Sequence, residues 1–144
     1  MSTTASILLP VDGSQSSERA ARHLVYLIKN FTPLVVRVLN VQPPVKAGEI
    51  SPLVTSEQVE ETRLEDGIAC GAPVRAILDE AGIAYTYEVE LGPVSETIAH
   101  YVGEHKCDAI IMGTRGLSAI SNLLMGSIAT KVLHLTDVPV TLVK

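Results

Sequence analysis

The residues best placed to do chemistry are glycines at fixed spacing: Gly113-x-x-Gly116, nine residues, then Gly126-Ser127. They follow the apolar run Ala109-Ile110-Ile111-Met112 and end where a helical pattern begins, at Ile128-Ala129-Thr130-Lys131-Val132-Leu133. The chemistry implied is anion binding. Glycine lets a backbone come close to a ligand. The first N–H groups of a helix have no partner within it, and the helix dipole puts about half a positive charge at that end. A buried strand running through a glycine-rich loop into a helix start therefore makes a phosphate site. Neither common fingerprint accounts for it. Ser127 is followed by Ile128, which rules out a Walker A loop, and no Gly-x-Gly-x-x-Gly follows the first strand.

The elements that must position this loop read clearly along most of the chain. Ser6 to Val11 is a strand ending at Asp12-Gly13, and Ser14 to Ser17 offer helix N-caps. Ala20, Leu24, Leu27 and Ile28 then recur at helical spacing. Leu34 to Val41 suits a strand buried on both faces. Residues 42–53, with three prolines and a glycine, read as a loop or flap. Thr55-Ser56-Glu57-Gln58 resembles a capping box, and Pro73 predicts a kink or restart before a stop near Gly82. Tyr85 to Leu91 is a strand with one solvated face, followed by a helix through Val94, Ile98, Tyr101 and Val102. A helix from about Gly126 to Leu135 and a strand from Val138 to Val143 close the pattern.

The order β-α-β-α-β-α-β-α-β implies one α/β domain over residues 1–144, an open five-stranded parallel sheet with helices on both faces, Rossmann-like. With strand order 3-2-1-4-5, the first and fourth strands are neighbours where the winding reverses, the place where such sheets bind ligands. Asp12 and the glycine loop then face each other across one crevice.

Composition narrows the partners. A net charge of −5 without a Lys/Arg cluster argues against nucleic acid, as do 3% aromatics and no Trp. Phe31 and the four tyrosines are read as packing residues. No apolar run approaches the ~20 residues that cross a bilayer. The opening Met1 to Ser6 lacks a basic region, so a cytoplasmic protein is expected. Cys70 and Cys107 form no metal or redox pair.

The glycine spacing resembles the nucleotide motif of the universal stress protein family, in its ATP-binding branch: Gly-x2-Gly-x9-Gly-Ser/Thr, complete here as Gly113, Gly116, Gly126 and Ser127. Ile7-Leu8-Leu9-Pro10-Val11-Asp12-Gly13-Ser14 looks like the family's first strand and turn, and Val138 to Val143 like its last strand. The likeness is weakest from Gln42 to Gly82. It implies the same 3-2-1-4-5 sheet, with ATP, or else ADP, AMP or a cyclic nucleotide, as ligand. By position it puts Asp12 and Val41 at the adenine and ribose end, Pro10 lining that pocket, and Asn40 near the base edge. Met112 and Gly113 pass the ribose and α-phosphate, Arg115 and Gly116 approach the phosphates, and Gly126, Ser127 and Ile128 bind phosphate oxygens. Mg²⁺ would ride on the phosphates with few protein ligands. A homodimer through the last strand is also implied.

No nucleophile–base pair is evident, and His23, His100, His105 and His134 lack metal-ligand spacing. Glu57, Glu60, Glu61, Glu65 and Asp66 read as a solvated helix face. Ser118 and Ser121 read as loop polar groups, at positions where the resemblance allows phosphorylation sites. ATP hydrolysis needs a positioned water; no residue is identified to hold one, so firm holding with slow turnover at most is expected. Two other readings compete with the nucleotide-responsive regulator. One is a dimeric interaction module that binds no nucleotide. The other is an ATP-dependent enzyme on the same scaffold, whose Ser-Gly-Gly-x-Asp-Ser or His-x-Gly-His signatures are absent.

Overall fold

The computed structural model describes residues 4–44, 53–114 and 126–144. Strands and helices alternate: β1 Ser6–Pro10, α1 Gln15–Asn30, β2 Val35–Gln42, α2 Ser56–Glu80, β3 Tyr85–Leu91, α3 Val94–His105, β4 Ala109–Gly113, α4 Ser127–Leu135 and β5 Val140–Val143. All pairings are parallel and the order is β3-β2-β1-β4-β5. This is the sheet expected from the sequence.

Strand alternation sorts the core into two layers. Ile7, Leu9, Val36, Val38 and Ile111 pack against α1 and α2, with Leu24, Val74 and Leu78. Leu8, Leu39, Val41, Ile110 and Met112 pack on the other face against α3 and α4, with Ile98, Tyr101, Ala129 and Val132. Leu8, Leu9, Leu39 and Ile110 are fully buried, each contributing roughly 1.5–3 kcal/mol of transfer free energy.

Helix starts differ between the layers. Ser14 caps α1, accepting from Ser17 N–H, and Thr55 and Gln58 form a full capping box on α2. α3 and α4 begin at Pro93 and Gly126 with no side-chain cap.

Several expectations need correction. α2 is one helix of 25 residues running through Pro73, with no restart. Pro73 is exposed, so the backbone group it leaves unpaired faces water. Gly67 and Gly71, inside this helix, are packing residues. A Cβ at Gly67 would lie 2.3 Å from Val89, and one at Gly71 2.2 Å from the Tyr87 ring. β5 starts at Val140, so the missing N–H of Pro139 falls outside the strand, and the Pro139 carbonyl accepts from Ile110 N–H. Phe31 and Tyr26 are not core residues. They are 70% and 54% exposed at the end of α1, touching edge-on at 5.8 Å. Tyr85 and Tyr87 of β3 do pack against the core under α1 and α2, and Tyr101 of α3 is part of the core on the other face.

Candidate functional site

β1 and β4 lie side by side at the reversal, and their carboxyl ends carry the two loops that the sequence singled out. Pro10 and Met112 are buried where the strands finish, and Val41 is buried at the end of β2. Val41 and Met112 belong to one apolar cluster, the layer under α3 and α4.

Asp12 is held by the start of α1. Its Oδ1 accepts from Ser14 N–H at 3.0 Å and from the Ser17 hydroxyl at 2.8 Å, while its own N–H donates to Ser17 Oγ at 3.2 Å. The helix cap is Ser14, and Asp12 buttresses it. Its Oδ2 has no hydrogen bond among the described residues, so one carboxylate oxygen remains available as an acceptor. Ser17, one of the N-cap candidates read from the sequence, is not the cap but the partner of Asp12; its signal is the Ser14-x-x-Ser17 spacing at a helix start.

Asn40 is used within the protein. Nδ2 donates to Val11 O at 2.8 Å, and Oδ1 accepts from Gln42 Nε2 at 2.8 Å. Gln42 Nε2 also approaches Cys70 Sγ at 3.8 Å. This buried network ties the ends of β1 and β2 to α2, so Asn40 is a brace for the crevice wall. Burial pushes the Cys70 thiol pKa up, which keeps it protonated. Gly13, at φ 84°, makes the turn beside the Cys70 backbone.

Gly113 has a packing duty that spacing alone did not reveal. A Cβ there would lie 2.2 Å from Ser16 Oγ and 2.8 Å from the Ser16 carbonyl carbon. α1 thus starts directly against the end of β4. Thr114, also missed, is buried and bridges two elements. Its N–H donates to Val143 O at 2.9 Å, and its carbonyl accepts from Gly126 N–H at 2.5 Å. The Ser16 hydroxyl donates to the same Val143 O at 3.1 Å.

Gly126 and Ser127 open α4. No side chain caps this end, and its first turn holds no acidic residue. Ser127 and Ile128 are exposed. Outward-facing N–H groups, a serine hydroxyl and the positive end of a nine-residue helix together suit an anion. Arg115 and Gly116, and likewise Ser118 and Ser121, lie outside the described residues, as does most of the 42–53 flap.

The histidines form no centre. His100 pairs with Glu104 at 3.1 Å on the surface of α3, and His105 stacks on Tyr101 at 3.9 Å. Among the described residues no group of three or more His, Cys, Asp or Glu could hold a metal. No described helix is long and apolar enough to cross a membrane.

By fold this is a doubly wound, Rossmann-like α/β protein whose winding reverses between β1 and β4. The chain belongs to the universal stress protein family, whose sequence profile matches residues 4–144. Universal stress protein MJ0531 of Methanocaldococcus jannaschii is 29% identical over 144 residues, spanning 96% of this chain and 81% of that relative. UspA of Lactobacillus plantarum superposes with a TM-score of 0.82 at 18% identity, covering 100% of both chains. A universal stress protein in complex with cAMP superposes at 0.69 with 19% identity, covering 99% of each chain. A family protein of Arabidopsis thaliana with AMP bound superposes at 0.66 with 15% identity, covering 97% of this chain and 91% of that one.

Proposed function

We propose that this chain binds an adenine nucleotide, ATP foremost, in the crevice between β1 and β4, and that it acts as a nucleotide-responsive stress regulator with slow or no hydrolysis. The observation that carries the reading is the uncapped, acid-free start of α4 at Gly126-Ser127, together with the open oxygen of Asp12 after the neighbouring strand β1. An anion-binding helix start and a carboxylate that can accept from a hydroxyl follow the carboxyl ends of neighbouring strands, the pairing a nucleoside phosphate needs. Family members with cAMP and AMP bound support the adenine preference.

In this reading Asp12 Oδ2 accepts from a ribose hydroxyl. Pro10, Val41 and Met112 wall the base and sugar, with Gly113 beside the ribose and α-phosphate. Gly126, Ser127 and Ile128 hold phosphate oxygens, with Arg115 and Gly116 completing the loop. Mg²⁺ travels on the phosphates. A cytoplasmic location fits a nucleotide ligand and two free thiols, Cys70 and Cys107.

We also propose a homodimer through β5. The sheet has two edges of opposite character. β3 carries Glu88 and Glu90, charges that discourage pairing, whereas β5 is Val140-Thr141-Leu142-Val143 without a charge. Leu133 and Leu135 of α4 add exposed apolar surface, at 40% and 49%.

The test is calorimetric titration of nucleotide-stripped protein with ATP·Mg, beside Ser127→Ala. Binding in the micromolar range that weakens about tenfold in the variant supports the site. No heat and no thermal shift with any adenine nucleotide overturns the reading and favours the dimeric interaction module.

A further inference from the structure

Two helices open on the α3/α4 layer without a side-chain cap, yet only α4 belongs to the glycine motif. The start of α3 carries an independent anomaly. Ser95, its second residue, is 1% exposed, and its Oγ is buried with no hydrogen-bond partner. A buried hydroxyl left unpaired forfeits its hydration without replacement, so such a group in a native protein calls for a partner.

Its position says where that partner would be. Ser95, Ile98, Tyr101 and Val102 form the inner face of α3. Tyr101 Oη donates to Glu88 Oε1 at 2.7 Å, and Glu88 stands opposite Leu39 in the β2–β3 register. Ser95 lies six residues earlier on a helix that runs back along the strands, about 9 Å nearer their carboxyl ends. That is about three strand residues, which brings it level with Val41 and Gln42. Val94, beside it, packs against the cluster that holds Val41 and Met112.

The two helix starts also differ in charge. α4 has no acid in its first turn. α3 has Glu96, which pairs with Lys131 of α4 at 3.2 Å. A carboxylate at that position opposes a phosphate but not a neutral acceptor.

We propose that Ser95 is a nucleoside-selecting residue of the same crevice, its hydroxyl donating to a neutral acceptor atom of the base or sugar while α4 holds the phosphates. This rests on the nucleotide reading above. The hydroxyl is enclosed, so the contact takes a rotation about Cα–Cβ, between staggered positions open to serine.

The experiment titrates wild type and Ser95→Ala, both nucleotide-stripped, with AMP, adenosine and tripolyphosphate, and records thermal unfolding without ligand. AMP and adenosine should each weaken by about 3- to 10-fold in the variant. Tripolyphosphate should bind both proteins equally. The variant should unfold at the same temperature or higher, because it removes an unpaired polar group. Undiminished AMP affinity, an equal loss for tripolyphosphate, or a fall of several degrees in unfolding temperature would each overturn the assignment. Failure of wild type to bind AMP or adenosine at all would overturn the nucleotide reading itself, and the role of Ser95 with it.

Discussion

Gly113→Ala should destabilise the fold whether or not a nucleotide is present. An ideal Cβ at this position falls 2.2 Å from Ser16 Oγ, 2.7 Å from Ser16 Cβ and 2.8 Å from the Ser16 carbonyl carbon. The hydroxyl can rotate away, but the Cβ and backbone contacts remain unless α1 moves. That helix cannot move freely, since Ser16 also bonds Val143 O and Ser17 holds Asp12. Overpacking of this kind costs about 1–3 kcal/mol. For a chain of this size that lowers the unfolding temperature by roughly 3–10 °C. Calorimetric unfolding of Gly113→Ala, Ser16→Gly and the double variant reads the effect directly. Ser16→Gly removes two of the three close atoms, so the double variant should lose less stability than the sum of the singles. An unchanged unfolding temperature in Gly113→Ala, or strict additivity in the pair, would refute the packing role. The result also bears on function. Lost nucleotide binding in a Gly113 variant reports a shifted helix as much as a blocked pocket, which makes Ser127 the cleaner probe.

Two further predictions follow from the same geometry. Burial is the main cause that pushes the Tyr87 and Tyr101 phenols from 10.0 up to about 12. The unfolded chain then binds fewer protons between those values, so stability is intact below pH 10 and falls as pH rises towards 12; Tyr87→Phe and Tyr101→Phe should each flatten that decline in denaturant titrations. Gly126→Asp should separate stability from binding: an acidic N-cap stabilises α4 by a few tenths to about 1 kcal/mol, while the carboxylate should repel phosphate and weaken ATP binding at least tenfold by calorimetry. If ATP still binds with native affinity, the start of α4 is not the phosphate site.

Periodicity and turn chemistry carried most of the fold. Short apolar runs marked four of the strands, alternation with glutamates marked β3, and Thr55 with Gln58 marked the start of α2. What failed depended on contacts distant in sequence. Gly67 and Gly71 look like helix breakers until Val89 and Tyr87 of β3 are packed against them. Phe31 looks like core by composition, but α1 ends before reaching anything that would cover it. The site divides in the same way. The Gly126-Ser127 helix start follows from local sequence alone. That Asp12 spends one oxygen on α1, and that Asn40 braces Val11, depends on side-chain pairings no spacing encodes.

The distribution of caps joins stability to function. On one face of the sheet the starts of α1 and α2 carry side-chain caps, Ser14 accepting from Ser17 N–H and Thr55 with Gln58 forming a box. On the other, α3 and α4 start at residues without a capping side chain. Replacing Pro93 or Gly126 by a good cap would gain up to about 1 kcal/mol, and stability alone would favour doing so. Leaving both starts open keeps a set of amide donors, with the exposed hydroxyl of Ser127, at the carboxyl end of the sheet. A ligand that takes those donors stabilises the protein by about 2.7 kcal/mol at a hundredfold excess over its Kd. That exceeds the stability forgone at the two caps together. On the nucleotide reading proposed above, occupancy would therefore register as a gain in thermal stability over the empty protein.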